Sequence, residues 1–137
     1  MSDASKDNIL EFFVYAANKH GFELDITLVV NGAIVTGTII PAYDYLDQLS
    51  ESFEGGNDVS QKLSEQLAEA GKQTESGGNE DVNFIHLKNT RIYCGDSKPT
   101  PSKGKILWRG KLAEVDSFFL GKISEPKSSS GGSSKKS

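Results

Sequence analysis

Phe22-Glu-Leu-Asp-Ile-Thr-Leu-Val-Val-Asn-Gly-Ala-Ile-Val-Thr-Gly-Thr-Ile-Ile40 is the stretch that decides the fold. Phe22, Leu24, Ile26, Leu28 and Val30 alternate with Glu23, Asp25, Thr27, Val29 and Asn31, which is the period of a strand buried on one face. Asn31-Gly32 then supplies the two residues that tolerate positive φ at the centre of a type I′ turn. The β-branched run from Ile34 to Ile40 reads as the returning strand, with Gly37 marking a bulge or a point of close approach.

Working outward from this hairpin, an N-terminal helix precedes it. Ser5 or Asp7 can cap that helix, Ile9, Phe13 and Ala17, beside Phe12 and Ala16, give its apolar face, and Gly21 ends it. After the hairpin Pro41 stops the strand. A short helix carries Leu46, Leu49 and Phe53 as far as Gly55-Gly56. A second, capped by Asn57 or Asp58, carries Val59, Leu63, Leu67 and Ala70, and Gly71 closes it. Lys72 to Glu80 holds few apolar residues and reads as a flexible connector. Sheet structure resumes at Val82 to Leu87, turns at Asn89-Thr90 and returns through Arg91 to Cys94. Gly95 to Lys105 is an exposed basic loop. Ile106 to Arg109 and Phe118 to Ile123 are further strands with a turn at Gly110, and the Ser/Gly/Lys tail has nothing to bury.

The 137 residues, 36% hydrophobic, 25% charged and 9% aromatic, suffice for one domain with a modest core. The polar opening residues, with no apolar run near about 18 residues, point away from secretion and from membrane insertion. The single cysteine, Cys94, fits a reducing, cytoplasmic setting. The net charge of −4 conceals a division. Residues 1–80 carry 14 acids and 4 bases, whereas residues 81–137 carry 5 acids and 11 bases. A split of −10 against +6 on one small chain is either an interaction signal or two solvated faces of one domain, and it says nothing of the fold.

Catalytic constellations are thin. A hydrolytic triad has only His20 or His86 to draw on, and no Gly-x-Ser-x-Gly elbow exposes a serine. His20 sits where it can meet the last carbonyls of the N-terminal helix. His86 shares a strand face with Val82 and Phe84 and reads as a half-buried packing residue. Cys94 reads as a buried residue at a strand end, and one cysteine with two histidines cannot make a zinc site. Gly104-Lys105 lacks the spacing of a phosphate-binding loop. Asp44 with Asp47, and Glu51 with Glu54, are solvated helix faces. Trp108, Phe118 and Phe119, near Arg109 and Lys111, are either core or a stacking platform for nucleic acid, and their strand-like setting favours core.

Two resemblances add to this reading. Ile26 to Ile40, with glycines at 32 and 37 and Asp44 beyond, resembles the first motif of Sm-like barrels. A longer likeness runs through Lys19-His-Gly-Phe-Glu-Leu-Asp-Ile-Thr-Leu28 and Phe84-Ile-His-Leu-Lys-Asn-Thr-Arg-Ile-Tyr-Cys-Gly-Asp-Ser-Lys98. It continues over Pro101 to Asp116 and Phe119 to Ser124. These stretches resemble the gas vesicle accessory protein U (GvpU-like) family of bacilli, from about Lys6 onward and most weakly in the acidic insertion and the tail. The resemblance implies a non-enzymatic cytoplasmic protein acting on vesicle assembly or on how finished vesicles associate, with vesicle shell or other accessory proteins as partners. It brings no catalytic motif and no cofactor.

The expectation is therefore an α+β domain over residues 1–124: a small, strongly bent sheet or an Sm/SH3-like barrel with an N-terminal helix. A helical acidic insertion occupies about 43–71, a connector about 72–81 and a disordered tail 125–137. Self-association would use Lys98, Lys103, Lys105, Lys127, Lys135 and Lys136 against acids such as Glu65 and Glu69. The rival is an Sm-like nucleic-acid module using Arg91, Lys98, Lys103, Lys105, Arg109 and Lys111, which the acidic half of the chain opposes.

Overall fold

The computed structural model describes residues 6–77, 82–95 and 98–123. Its elements in chain order are α1 (Asn8–His20), β1 (Leu24–Val30), β2 (Ala33–Ile39), α2 (Ala42–Glu51), α3 (Asp58–Gly77), β3 (Phe84–Tyr93), β4 (Ile106–Lys111) and β5 (Val115–Leu120). A short 3-10 helix, Leu112–Glu114, links the last two. The fold class is α+β. The five strands form one antiparallel sheet in the order β4-β3-β2-β1-β5.

The hairpin forms as its sequence dictates. Leu28 pairs with Val35 and Val30 with Ala33, while Asn31 and Gly32 hold φ of 51° and 86° at the turn. Ile26 and Leu28 of β1, Val35 and Ile39 of β2, and Ile85 and Leu87 of β3 point to one face and bury against Leu10, Val14 and Ala17 of α1. Asp7 caps α1 by accepting from the amides of Ile9 and Leu10, and Gly21 closes it at φ 68°. The helix is rotated from the face its apolar spacing suggested. Leu10 and Val14 take the core, whereas Ile9 and Phe12 face solvent, Phe12 with 69% of its surface exposed.

The sheet is not closed into a barrel. β4 and β5 are its two edges and do not pair with each other. It is nonetheless strongly bent, because only three residues join those edges. A flat five-stranded sheet would set β4 and β5 about 19 Å apart. The end of β4 and the start of β5 would also lie a strand's length apart along the strands, since both run the same way. Three linking residues reach at most about 14 Å. The sheet must coil until those ends approach. Register shifts between Val29 and Val30, between Thr36 and Thr38, and between Leu87 and Thr90 provide the bends.

Gly37 lies where two of these irregularities face each other. A Cβ there would stand 2.8 Å from Thr90 Oγ1 and 3.0 Å from the Lys88 carbonyl oxygen, so the close approach is real and only glycine fits. The Asn89-Thr90 turn does not form. β3 runs unbroken through it as a bulge, with Asn89 at φ 54°. Gly110 is likewise no turn but part of β4, opposite Ile85, and the indole of Trp108 folds across it. The chain instead leaves β4 and crosses to β5 at Leu112–Glu114, where the buried Leu112 donates its amide to the Asn83 carbonyl at 2.9 Å.

The acidic insertion is an α2–α3 hairpin, and its second helix passes Gly71 and six residues of the expected connector to end at Gly77. Gly71 is buried in the helix–helix contact instead of capping, with room for a Cβ only 3.3 Å from the Tyr43 carbonyl oxygen and 3.5 Å from Leu46 Cβ. A leucine there cannot be accommodated without separating the helices. Gly71→Leu is expected to cost about 1–3 kcal/mol by overpacking, seen as an earlier loss of helical circular dichroism on heating.

The loop after Cys94 is anchored. Ile92 and Thr100 exchange both backbone hydrogen bonds, at 2.8 and 2.7 Å, and Pro99 is buried. Beyond β5, Gly121 and Ile123 cross the outer face of the sheet, where Thr27 Oγ1 donates to the Gly121 carbonyl and the Ile123 amide donates to Thr36 Oγ1. The tail residues Lys127, Lys135 and Lys136 lie outside the described residues.

Candidate interaction surface

Alternation along β3 sends Ile85 and Leu87 inward and Phe84 and His86 to the outer face. His86 pairs with Arg109 in the β3–β4 ladder, and Phe84 with Lys111. The Arg109 guanidinium lies 3.9 Å from the centre of the Phe84 ring, and its Nε–H donates to His86 Nε2 at 3.2 Å. Tyr45 of α2 covers the imidazole at 4.6 Å between ring centres. His86 is only 5% exposed, more deeply buried than its strand position implied. Burial first, and then the positive charge of Arg109, lower its pKa to about 4. The ring is therefore neutral near pH 7, with Nε2 as the acceptor that Arg109 requires. Its Nδ1 finds no partner within the described residues.

This arrangement is suited to holding one arginine. Phe84 supplies the face, His86 fixes the Nε edge, and the terminal nitrogens of the exposed Arg109 are left toward solvent. Among the described residues no carboxylate reaches it. Sequence reading counted Arg109 as one of six bases, because the pairing that singles it out depends on strand register.

Lys98, Lys103 and Lys105 are exposed on the β3–β4 connection. Glu65 and Glu69 are exposed one turn apart on α3. The ion pairs Lys6–Glu11 at 3.3 Å and Lys88–Glu23 at 3.0 Å involve none of these. A second surface is apolar. Phe12 and Tyr15 of α1, with Asn8, Glu11 and the buried Val82, border a shallow depression beside the exposed Ile9.

The aromatic residues do not assemble into one platform. Trp108 and Phe118 are half-buried and pack on the core from opposite edge strands, Phe118 meeting Phe13 edge-on at 6.1 Å between ring centres. Phe119, 50% exposed, points to the other face of β5. Cys94 is exposed just after β3 instead of buried, and His20 is exposed at the end of α1, whose cap is made by the Gly21 amide. Among the described residues no group of three or more His, Cys, Asp and Glu side chains could hold a metal, and no helix is long and apolar enough to cross a membrane.

The family model for gas vesicle protein GvpU-like matches residues 7–123, from the cap of α1 to the end of the outer-face crossing. The chain belongs to the GvpU-like gas vesicle family. It is thus a gas vesicle-related protein, and the match takes in the α2–α3 hairpin as well as the sheet. No curated protein and no solved structure matches it. In this GvpU-like chain the surfaces described above are a braced arginine with Lys111 on the same face of β4, an acidic helical hairpin and an apolar face of α1.

Proposed function

We propose that this GvpU-like protein is a non-enzymatic, cytoplasmic accessory that modulates how gas vesicles assemble or cluster, through weak self-association and contacts with the shell. The observation that carries the reading is the segregation of charge in a gas vesicle family member. An acidic hairpin and a basic loop are both exposed on a chain with −10 in one part and +6 in the other. Each exposed ion pair contributes about 0–1 kcal/mol and is screened beyond about 8 Å at physiological salt. Several pairs per molecule act together as multivalent, reversible bridges between copies. Shell or accessory proteins would meet the apolar face of α1, where Ile9, Phe12 and Tyr15 are left uncovered. Nucleic acid is disfavoured as a partner, because the acidic hairpin repels a phosphate backbone.

Light scattering of the purified chain, alone and with purified vesicles, tests this across a salt series and after deletion of residues 125–137. The expected result is graded clustering that weakens as salt rises and weakens further without the tail lysines. Scattering that responds to neither would overturn the electrostatic mechanism.

A further inference from the structure

We propose that Arg109, with Lys111 beside it, is a carboxylate-recognition site whose occupant is the Glu65/Glu69 face of α3 in a second copy of this chain, an inference that rests on the self-association reading. Three observations make Arg109 more than one charge in a basic patch. Its guanidinium is stacked on Phe84 at 3.9 Å, its Nε–H is fixed on His86, and His86 is itself buried and covered by Tyr45. An arginine held in this way has already lost much of its rotamer freedom. Its two terminal nitrogens can grip a carboxylate without the ordering cost that a free surface lysine bears.

The choice of occupant follows from spacing and charge. Arg109 and Lys111 lie two residues apart on one face of β4, which separates their Cα atoms by about 7 Å. Glu65 and Glu69 are exposed four residues apart on α3, one helical turn or about 6 Å. Two cations and two carboxylates at nearly equal spacing can engage as a pair. Among the described residues no cation reaches Glu65 or Glu69, and no carboxylate reaches Arg109 or Lys111, so each half is available. Site and occupant are different surfaces of one chain. A head-to-tail contact through them propagates from copy to copy, as clustering requires.

A charge-swap experiment by light scattering at low salt tests the site, with circular dichroism melts to show that each variant is folded. Arg109→Glu and the double variant Glu65→Arg, Glu69→Arg are each expected to lower association at least about fivefold, and an equimolar mixture of the two to restore it. Arg109→Lys keeps the charge but cannot stack on Phe84 and bond to His86 at once, and is expected to associate about threefold more weakly than wild type. The inference is overturned if Arg109→Glu associates like wild type while Lys103→Glu, Lys105→Glu does not, which leaves the self-association reading standing. A mixture that fails to recover also overturns it. A wild-type chain that does not associate at any salt overturns both.

Discussion

Leu28→Ala is expected to lower stability by about 4 kcal/mol, read as the shift of the urea midpoint at constant slope. Leu28 is fully buried at the centre of β1, flanked in the ladders by Val35 and Phe118 and belonging to the core cluster that α1 closes with Leu10, Val14 and Ala17. Truncation removes its transfer free energy and leaves a cavity that the sheet cannot collapse, because strands on both sides are pinned by hydrogen bonds. For a domain whose total stability is on the order of 5–15 kcal/mol, that loss brings it close to unfolding. Phe12→Ala serves as the contrast. Phe12 is larger, but with 69% of its surface exposed it is expected to change stability by only about 0.5 kcal/mol. If the two variants melt alike, α1 does not pack through the Leu10 and Val14 face.

That contrast shows where the sequence was legible. Strict alternation in β1 and the Asn31-Gly32 turn specify the hairpin, because a one-residue slip would turn Ile26 and Leu28 out of the core. Asp7 and Gly21 likewise mark both ends of α1, since capping is a local event. The rotation of α1 was not readable: Ile9, Leu10, Phe12, Phe13 and Val14 are all apolar and spread over about 200° of a helix, wider than the face it buries. Only the sheet decides which of them are buried. Glycine misled for the same reason. Gly71 in a helix and Gly110 in a strand look like breaks, yet each is small to admit a neighbour, the α2 backbone in one case and the Trp108 indole in the other. The barrel expectation failed at closure because edge pairing is a long-range property. The short link between β4 and β5 demands a bend only once those strands are known to be opposite edges, and that order is equally long-range.

The same distinction applies to the interaction surface. Lys98, Lys103, Lys105, Glu65 and Glu69 are legible as surface charges, and the structure leaves them exposed. Arg109 gains its fixed geometry only when β4 registers against β3 so that it meets both Phe84 and His86. No local pattern encodes that pairing, as the residues are more than 20 positions apart.

His86 gives the domain a defined response to acid. In the folded chain its pKa is lowered to about 4 by burial and by Arg109, against 6.5 when unfolded. Above pH 6.5 both states hold a neutral ring, and the residue adds no pH dependence. As pH falls below 6.5 the unfolded chain takes up a proton that the folded chain refuses, so stability declines. The decline continues to about pH 4, where the folded ring also titrates, and then levels off. Its full extent is roughly 3 kcal/mol. Urea unfolding of wild type and His86→Gln at pH 7.5, 5.5 and 4.5 isolates this contribution. Glutamine cannot titrate but still offers Arg109 an acceptor oxygen, so carboxylates elsewhere affect both proteins equally. The wild type is expected to lose stability faster than the variant between pH 6.5 and 4, and in parallel with it above. A constant difference across the series would mean that His86 is not held neutral beneath Tyr45, and the brace on Arg109 would then lack its acceptor.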